Sequence, residues 1–221
     1  MSHPQEVGLR AGLGELGLDL APEQMATLLA YQDWMVKWNR VYNLTAVRDP
    51  QEMLTHHVLD SLAVVLPLRR YLRDRTGNAR TRLLDVGSGA GLPGVVLAIA
   101  CPELEVSCVD TVAKKALFIQ QVAAALRLPN LLGLHARVET LTQPYDVVAS
   151  RAFASLADFT RWSEGALAEQ GVWMAMKGKV PHDEMAALPA GVEVFHVEPL
   201  AVPGLDAERC LVWMRRLAGP A

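Results

Sequence analysis

An apolar run that breaks abruptly into glycines constrains this chain more than any other feature. Leu83-Leu84-Asp85-Val86 leads into Gly87-Ser88-Gly89-Ala90-Gly91, and a second apolar run follows Pro93. The first run reads as a buried strand and the second as a helix, with a glycine turn between them whose backbone can approach a ligand closely. The helix that opens past such a turn has unpaired N–H groups at its start. A chain built on this unit alternates strand and helix around a sheet and gathers ligands at the carboxyl ends of the strands.

The sequence downstream keeps that rhythm. Residues 83–86, 106–109, 131–135, 146–149 and 172–176 read as buried strands, with helices near 93–100, 112–127 and 155–168 and a short one at 182–188. Right-handed crossovers between them predict a parallel sheet. Residues 192–197 and 210–215 are joined by a Pro/Gly loop without a helix, which predicts an antiparallel terminal pair. Upstream, Met25, Leu28, Leu29, Met35, Trp38 and Tyr42 form a helical stripe opened by Pro22, and Asp49-Pro50 starts a second stripe through Leu62. Residues 1–68 are thus expected as a helical extension packed on the main domain, 69–82 as a basic linker and 83–221 as the ligand-binding domain.

The formal net charge of −3 excludes the globally basic composition of many small nucleic-acid-binding domains. The distribution is less neutral, since residues 69–82 sum to +5 and the other 207 residues to −8. Three cysteines without a C-x-x-C pair support neither a disulfide framework nor a zinc site, so a reducing compartment is expected. The longest strongly apolar run, residues 95–101, is too short to span a bilayer, and no signal segment is recognisable.

Asp110 closes the second strand 23 residues after Gly87, where a carboxylate can accept hydrogen bonds from both ribose hydroxyls. Gly89-x-Gly91-x-x-Gly94 also satisfies the dinucleotide fingerprint, so an NAD-dependent oxidoreductase stays open. So does a glycine turn that only packs helix on strand. Asp85, two residues before the first glycine, favours a ligand with an ammonium group and repels a pyrophosphate. Together with the helical leader and the terminal pair, it points to an α/β class I fold, Rossmann-like, seven-stranded and mostly parallel, that binds S-adenosyl-L-methionine.

The methyl acceptor narrows by chemistry. The fourth strand ends in Ala149-Ser150-Arg151 rather than in an Asn/Asp-Pro-Pro-aromatic tetrad, which disfavours transfer to an exocyclic base amine. Transfer to pyrimidine C5 needs a thiolate, whereas Cys101, Cys108 and Cys210 all fall in apolar runs. A ring nitrogen such as guanine N7 has its own lone pair and needs neither device, leaving catalysis to positioning and desolvation.

Residues 38–45 (WNRVYNLT), His57-x-x-Asp60-Ser61-Leu62, residues 85–94, Arg137-Val138-Glu139, Ser150-Arg151-Ala152-Phe153 and Lys177-Gly178 resemble the glucose-inhibited division protein B family from about residue 31 to 215. That resemblance implies a cytoplasmic enzyme methylating N7 of one guanine in the decoding-region loop of 16S rRNA. The RNA substrate would be naked or within the small subunit, and the enzyme a monomer without metal or membrane association. It places cofactor contacts on Gly87, Leu92, Val138, Glu139 and Arg151, to which the reading of the residues adds Asp85, Gly89, Gly91 and Asp110. Leu92 stands where many members have an aromatic, and Thr111 and Lys115 where serine and arginine are common.

Arg151 is the one candidate for a part in catalysis, bridging cofactor and RNA, against the alternative of a salt bridge to Asp146 or Asp158. Arg137, Lys177 and Arg209 are expected at the same sheet edge as phosphate contacts, and Arg69, Arg70 and Arg73 as contacts from the basic stretch. Each has a plain alternative as a solvated charge. His56-His57 lacks partners at zinc spacing, so a capping or core role is expected. Trp34 and Trp38 could stack on a base, but with Met35 and Tyr42 on the same helix at least Trp38 reads as core packing. A non-catalytic RNA binder of ribosome assembly is the remaining alternative.

Overall fold

The computed structural model describes residues 3–73 and 80–217. Helix α1 (Glu6–Leu16) and the long α2 (Pro22–Tyr42) open the chain. A second helical stretch follows, in which α3 (Pro50–Met53) widens into a π-helix (Leu54–Leu59) and continues as α4 (Asp60–Leu62) and α5 (Val65–Arg73). The Asp49 carboxylate caps it, accepting from the backbone N–H groups of Gln51 and Glu52 at 2.8 and 3.0 Å. Because α5 runs on to Arg73, the first three arginines of the basic stretch are helical. Its Gly77-Asn78 turn lies outside the described residues.

From β1 (Arg82–Val86) the expected alternation is present: α6 (Gly94–Ala100), β2 (Glu105–Asp110), α7 (Ala113–Ala125), β3 (Leu131–His135), β4 (Tyr145–Arg151), α8 (Leu156–Ser163), β5 (Leu167–Lys177), α9 (His182–Ala186), β6 (Val192–Pro199) and β7 (Cys210–Arg216). The strands form one seven-stranded sheet in the order β3-β2-β1-β4-β5-β7-β6. Neighbours from β3 to β5 are parallel, and β7 is antiparallel to both β5 and β6. The helix expected over 155–168 is shorter, because a 3-10 turn at Glu164–Ala166 hands over to an eleven-residue β5.

Burial on both faces explains the continuous apolar strands. Leu83, Val147 and Ala149 point into the larger core with the N-terminal helices, α6 and α7, while Leu84, Val86 and Val148 point into a second core under α8. The switch point falls between β1 and β4, whose connections leave to opposite sides of the sheet. There the loops at the carboxyl edge open a cleft.

Candidate cofactor and RNA site

The glycine loop is held from below and from both sides. Gly87 and Ser88 donate their N–H groups to the Val109 carbonyl at 2.9 and 3.3 Å, fixing the loop to β2. Gly87 has φ +67°, and a Cβ there would stand 2.2 Å from Cδ2 of Phe153, so the phenyl ring occupies the space a side chain would need. On the other side, the buried Tyr31 hydroxyl of α2 donates to the Ala90 carbonyl at 2.6 Å. The two contacts bridge 66 and 59 residues, and no local signal announced either.

Asp85 lies beneath this loop and is fully buried. Its Oδ2 accepts from the Gly94 N–H at 2.9 Å, and among the described residues its Oδ1 has no hydrogen-bond partner. Burial pushes its pKa up to about 7, against the lowering pull of the Gly94 N–H and Arg151 and with a smaller push from Asp110. Gly94 leaves room for nothing larger, since a Cβ would meet Cys108 Sγ at 2.3 Å and Asp85 Oδ2 at 2.9 Å.

A cleft of about 340 Å³ runs from the loop across β2 to the segment after β3, lined by Gly87, Asp110, Lys115, Val138, Phe153 and Trp162 among others. Asp110 accepts from the N–H of Gly89 through Oδ2 at 3.0 Å and from that of Val112 through Oδ1 at 2.8 Å. Each oxygen keeps a second lone pair for a hydroxyl donor. Lys115 Nζ stands 3.7 Å from Oδ2. Glu139 pairs with Arg137 at 2.7 Å, and that hydrogen bond holds its carboxyl below the usual range.

Of the nine cofactor candidates, Gly87, Asp110, Val138 and Glu139 line this cleft. Gly89 is joined to it through Asp110. Asp85, Gly91 and Leu92 lie under or behind the loop, where Leu92 is buried in the larger core. Arg151 turns away, donating from Nη1 to Asp60 Oδ2 and to the His56 carbonyl, each at 2.9 Å. Its partner is thus neither Asp146, which accepts from Arg82 N–H, nor Asp158, which pairs with Arg161.

Most of the other candidate cations also have partners. Arg209 donates from Nε to Asp60 Oδ1 at 2.9 Å, and Lys177 to Glu184 at 2.8 Å and the Ala154 carbonyl at 2.9 Å. Arg69 reaches the Ala100 carbonyl at 2.9 Å and Arg70 forms a close ion pair with Glu198, while Arg73 is exposed. The described residues of the basic stretch, 69–73 and 80–82, do not join the glycine loop. The stretch enters β1 at Arg82, and Ala100 ends the helix that starts beside the loop, so both mark the opposite edge of the sheet. The length of β1 separates the two.

His57 is buried between elements, its Nδ1 facing the His56 carbonyl at 2.9 Å and its Nε2 the Thr45 hydroxyl at 2.7 Å. Burial, then Arg151, lowers its pKa to about 4. Among the described residues no group of three or more His, Cys, Asp or Glu could hold a metal ion, and no helix is long and apolar enough to cross a membrane. All three cysteines are buried, and desolvation raises every thiol, Cys101 to about 11. Trp38 packs 5.3 Å from Phe118, as a core residue does.

The model of the GidB family, rRNA small subunit methyltransferase G, matches residues 24–212. The chain belongs to this family. A relative named ribosomal RNA small subunit methyltransferase G from Polaromonas sp. strain JS666 is 69% identical over 95% of this chain and 93% of its own length. One of the same name from Acidovorax sp. strain JS42 is 66% identical over 96% of each. Among solved structures, TrmN from Thermus thermophilus superposes with a TM-score of 0.56 at 19% identity, covering 74% of this chain and 53% of that one, and shares the fold. Neither the oxidoreductase nor the non-catalytic binder is favoured by family membership. The cradle fits the cofactor of a methyltransferase on its own geometry: among the described residues Asp85 Oδ1 is a buried polar atom with no hydrogen-bond partner, directly beneath the loop.

Proposed function

We propose that this protein transfers the methyl group of S-adenosyl-L-methionine to N7 of a single guanine in the decoding-region loop of 16S rRNA. The observation that carries this is the family match over almost the whole chain, with relatives of equal length named as small-subunit rRNA methyltransferases. When bound, the cofactor supplies an electrophilic methyl group. Asp110 would accept hydrogen bonds from the ribose hydroxyls, Val138 and Glu139 would border the adenine, and Phe153 would close the cleft behind Gly87. Asp85 acts from beneath, its carboxylate favouring a cationic amino group over the loop.

The chemistry suits a site of this kind. N7 would take the methyl group in line with its own lone pair as the sulfur–methyl bond broke, the electron pair returning to sulfur and the positive charge passing to the guanine, so no residue of this chain has to remove a proton first. A buried, protonated thiol cannot attack a pyrimidine ring, and all three thiols are of that sort. RNA approaches over the ends of β4, β5 and β7, where Arg151, Lys177 and Arg209 stand, with Arg137 lining the cleft itself. The enzyme works as a monomer in the cytoplasm, on RNA that is naked or part of the small subunit. Labelled methyl transfer to unmethylated small-subunit RNA and subunits tests this, with the product mapped by cleavage at N7-methylguanine. Failure of transfer to every ribosomal form refutes it.

A further inference from the structure

The cluster around Asp60 is the part of this sheet edge that stability does not explain. Asp60 is 2% exposed, yet it meets two guanidiniums, Arg151 through Oδ2 and Arg209 through Oδ1, each at 2.9 Å. One carboxylate between two arginines gives these three groups a formal charge of +1, partly withdrawn from water. Buried ionic clusters of this sort contribute little to stability against an apolar replacement, because desolvation offsets the attraction.

The topology shows what the carboxylate does. Arg151 ends β4, beside the strand that carries the glycine loop, whereas Arg209 immediately precedes β7, two strands further along. Adjacent strands lie about 4.8 Å apart, so the two backbones are roughly 10 Å from each other across β5. Asp60 reaches in from the N-terminal helices and draws both side chains to one point. A π-helix ends on the residue before it, a widened turn of the kind that collects at functional sites.

Each arginine keeps a solvent-facing part, 21% and 26% exposed. Among the described residues Arg151 makes its hydrogen bonds through Nη1 and Arg209 through Nε and Nη1. That leaves Nε and Nη2 of Arg151 and Nη2 of Arg209 as donors, and guanidinium N–H groups in such a planar fork match phosphate oxygens. Lys177, opposite Cys210 on β5, stands between the two strands but is held by Glu184.

We infer that Asp60 is a positioning residue of the transfer, holding Arg151 and Arg209 together at the sheet edge so that the pair grips one phosphate of the RNA substrate. The inference rests on the RNA-methyltransferase reading above and adds to it the residue that sets the grip. It makes a prediction opposite in sign to simple electrostatics. Removing an acid near the RNA path should strengthen binding of a polyanion, whereas removing a positioning acid weakens it by freeing two arginines.

Asp60→Asn, Asp60→Glu and Arg209→Gln are compared with the wild type for affinity to small-subunit RNA across a salt series, for S-adenosylhomocysteine affinity, and for kcat and KM with RNA. Arg209→Gln loses one cation, and its salt slope falls by about one unit or slightly less. Asp60→Asn weakens RNA binding roughly tenfold or more and lowers the salt slope as well, although it removes a negative charge. Asp60→Glu, which keeps the charge but moves it by one methylene, guards against a folding failure in the amide variant and shows the same direction. S-adenosylhomocysteine binding, measured on the same samples, stays within a few-fold. Unchanged or tighter RNA binding by the folded Asp60 variants, with an unchanged slope, overturns the inference while leaving the methyltransferase reading intact. A wild type that neither binds nor methylates small-subunit RNA overturns both.

Discussion

Replacing Asp85 with Asn removes a proton-binding site from the middle of the protein while hardly changing its shape. The carboxyl ordinarily ionises near 3.8 and in the fold near 7, burial being the main cause. Between those values the folded state keeps a proton that the unfolded chain has released. The stability this contributes is complete below pH 3.8 and is lost as pH rises through 7. Above that point the ionised carboxylate costs about 4 kcal/mol relative to its state in the unfolded chain. Asn keeps an oxygen for the Gly94 N–H but buries an amide without a partner, a loss of roughly 1–3 kcal/mol that does not depend on pH. The melting temperature of Asp85→Asn relative to wild type therefore climbs from pH 5 to pH 8. At roughly 2–4 °C per kcal/mol for a chain of this size, the climb is on the order of 10 °C. His57, lowered to about 4, has the opposite sign, since its contribution is lost as pH falls from 6.5. It is present in both proteins and cancels in the difference. Calorimetric melts of the cofactor-free proteins decide the matter, and a difference that stays flat across this range refutes the burial argument. Calorimetry of S-adenosylhomocysteine at pH 6.5 in buffers of different ionisation enthalpy adds a second reading. The ammonium of the ligand favours ionised Asp85, so the wild type releases protons on binding and Asp85→Asn does not.

Three further substitutions test the cradle itself. Gly87→Ala forces a Cβ into the Phe153 ring at a positive φ, and is expected to cost about 1–3 kcal/mol and most of the affinity for S-adenosylhomocysteine, measured by melting and titration. Tyr31→Phe removes only the hydroxyl that holds the Ala90 carbonyl; it should cost roughly 1 kcal/mol of stability and loosen cofactor binding several-fold while leaving RNA affinity in place. Asp110→Asn puts an amide donor against the N–H of Gly89 or Val112, so S-adenosylhomocysteine affinity should fall roughly tenfold to a hundredfold.

What the sequence disclosed and what it concealed divide along one physical line. Strand and helix alternation is a local pattern, and β1 through β7 lie where the apolar runs predicted them, including the antiparallel end. Asp110 was legible because a carboxylate at the end of the second strand has little choice of neighbours in this topology. Partners across the fold were not. Asp60 sits in a helical stripe whose periodicity says only that one face is buried, and nothing local says that two arginines from distant strands converge on it. The place of the basic stretch was hidden for the same reason, since its charge is plain in the sequence but the distance of its described residues from the glycine loop is set by the direction of β1. The start of β5 was missed because Ala168-Glu169-Gln170-Gly171 has no strand pattern of its own and is recruited only by the end of α8 and the pairing of Leu167 with Tyr145.

The N-terminal helices are more than a cover laid on a finished domain, and α6 shows why. Its seven residues, Gly94 to Ala100, contain no polar side chain, and all are buried. A helix apolar on every side needs a neighbour on every side. The sheet supplies one of them, and α2 and α4 supply others, with Gln24 of α2 donating to the Ile99 carbonyl at 2.8 Å at the end of α6. The same helices place the Tyr31 hydroxyl on the glycine loop and the Asp60 carboxylate on the two arginines. A chain that begins at Arg80 would expose the outer face of α6, leave the Ala90 carbonyl unheld and release Arg151 and Arg209 at once. We expect such a fragment to precipitate or to melt without cooperativity, and to bind S-adenosylhomocysteine far more weakly than the full chain. Cooperative melting with full cofactor affinity would show instead that the sheet builds its ligand site unaided, and that Tyr31 contributes nothing the strands do not already provide.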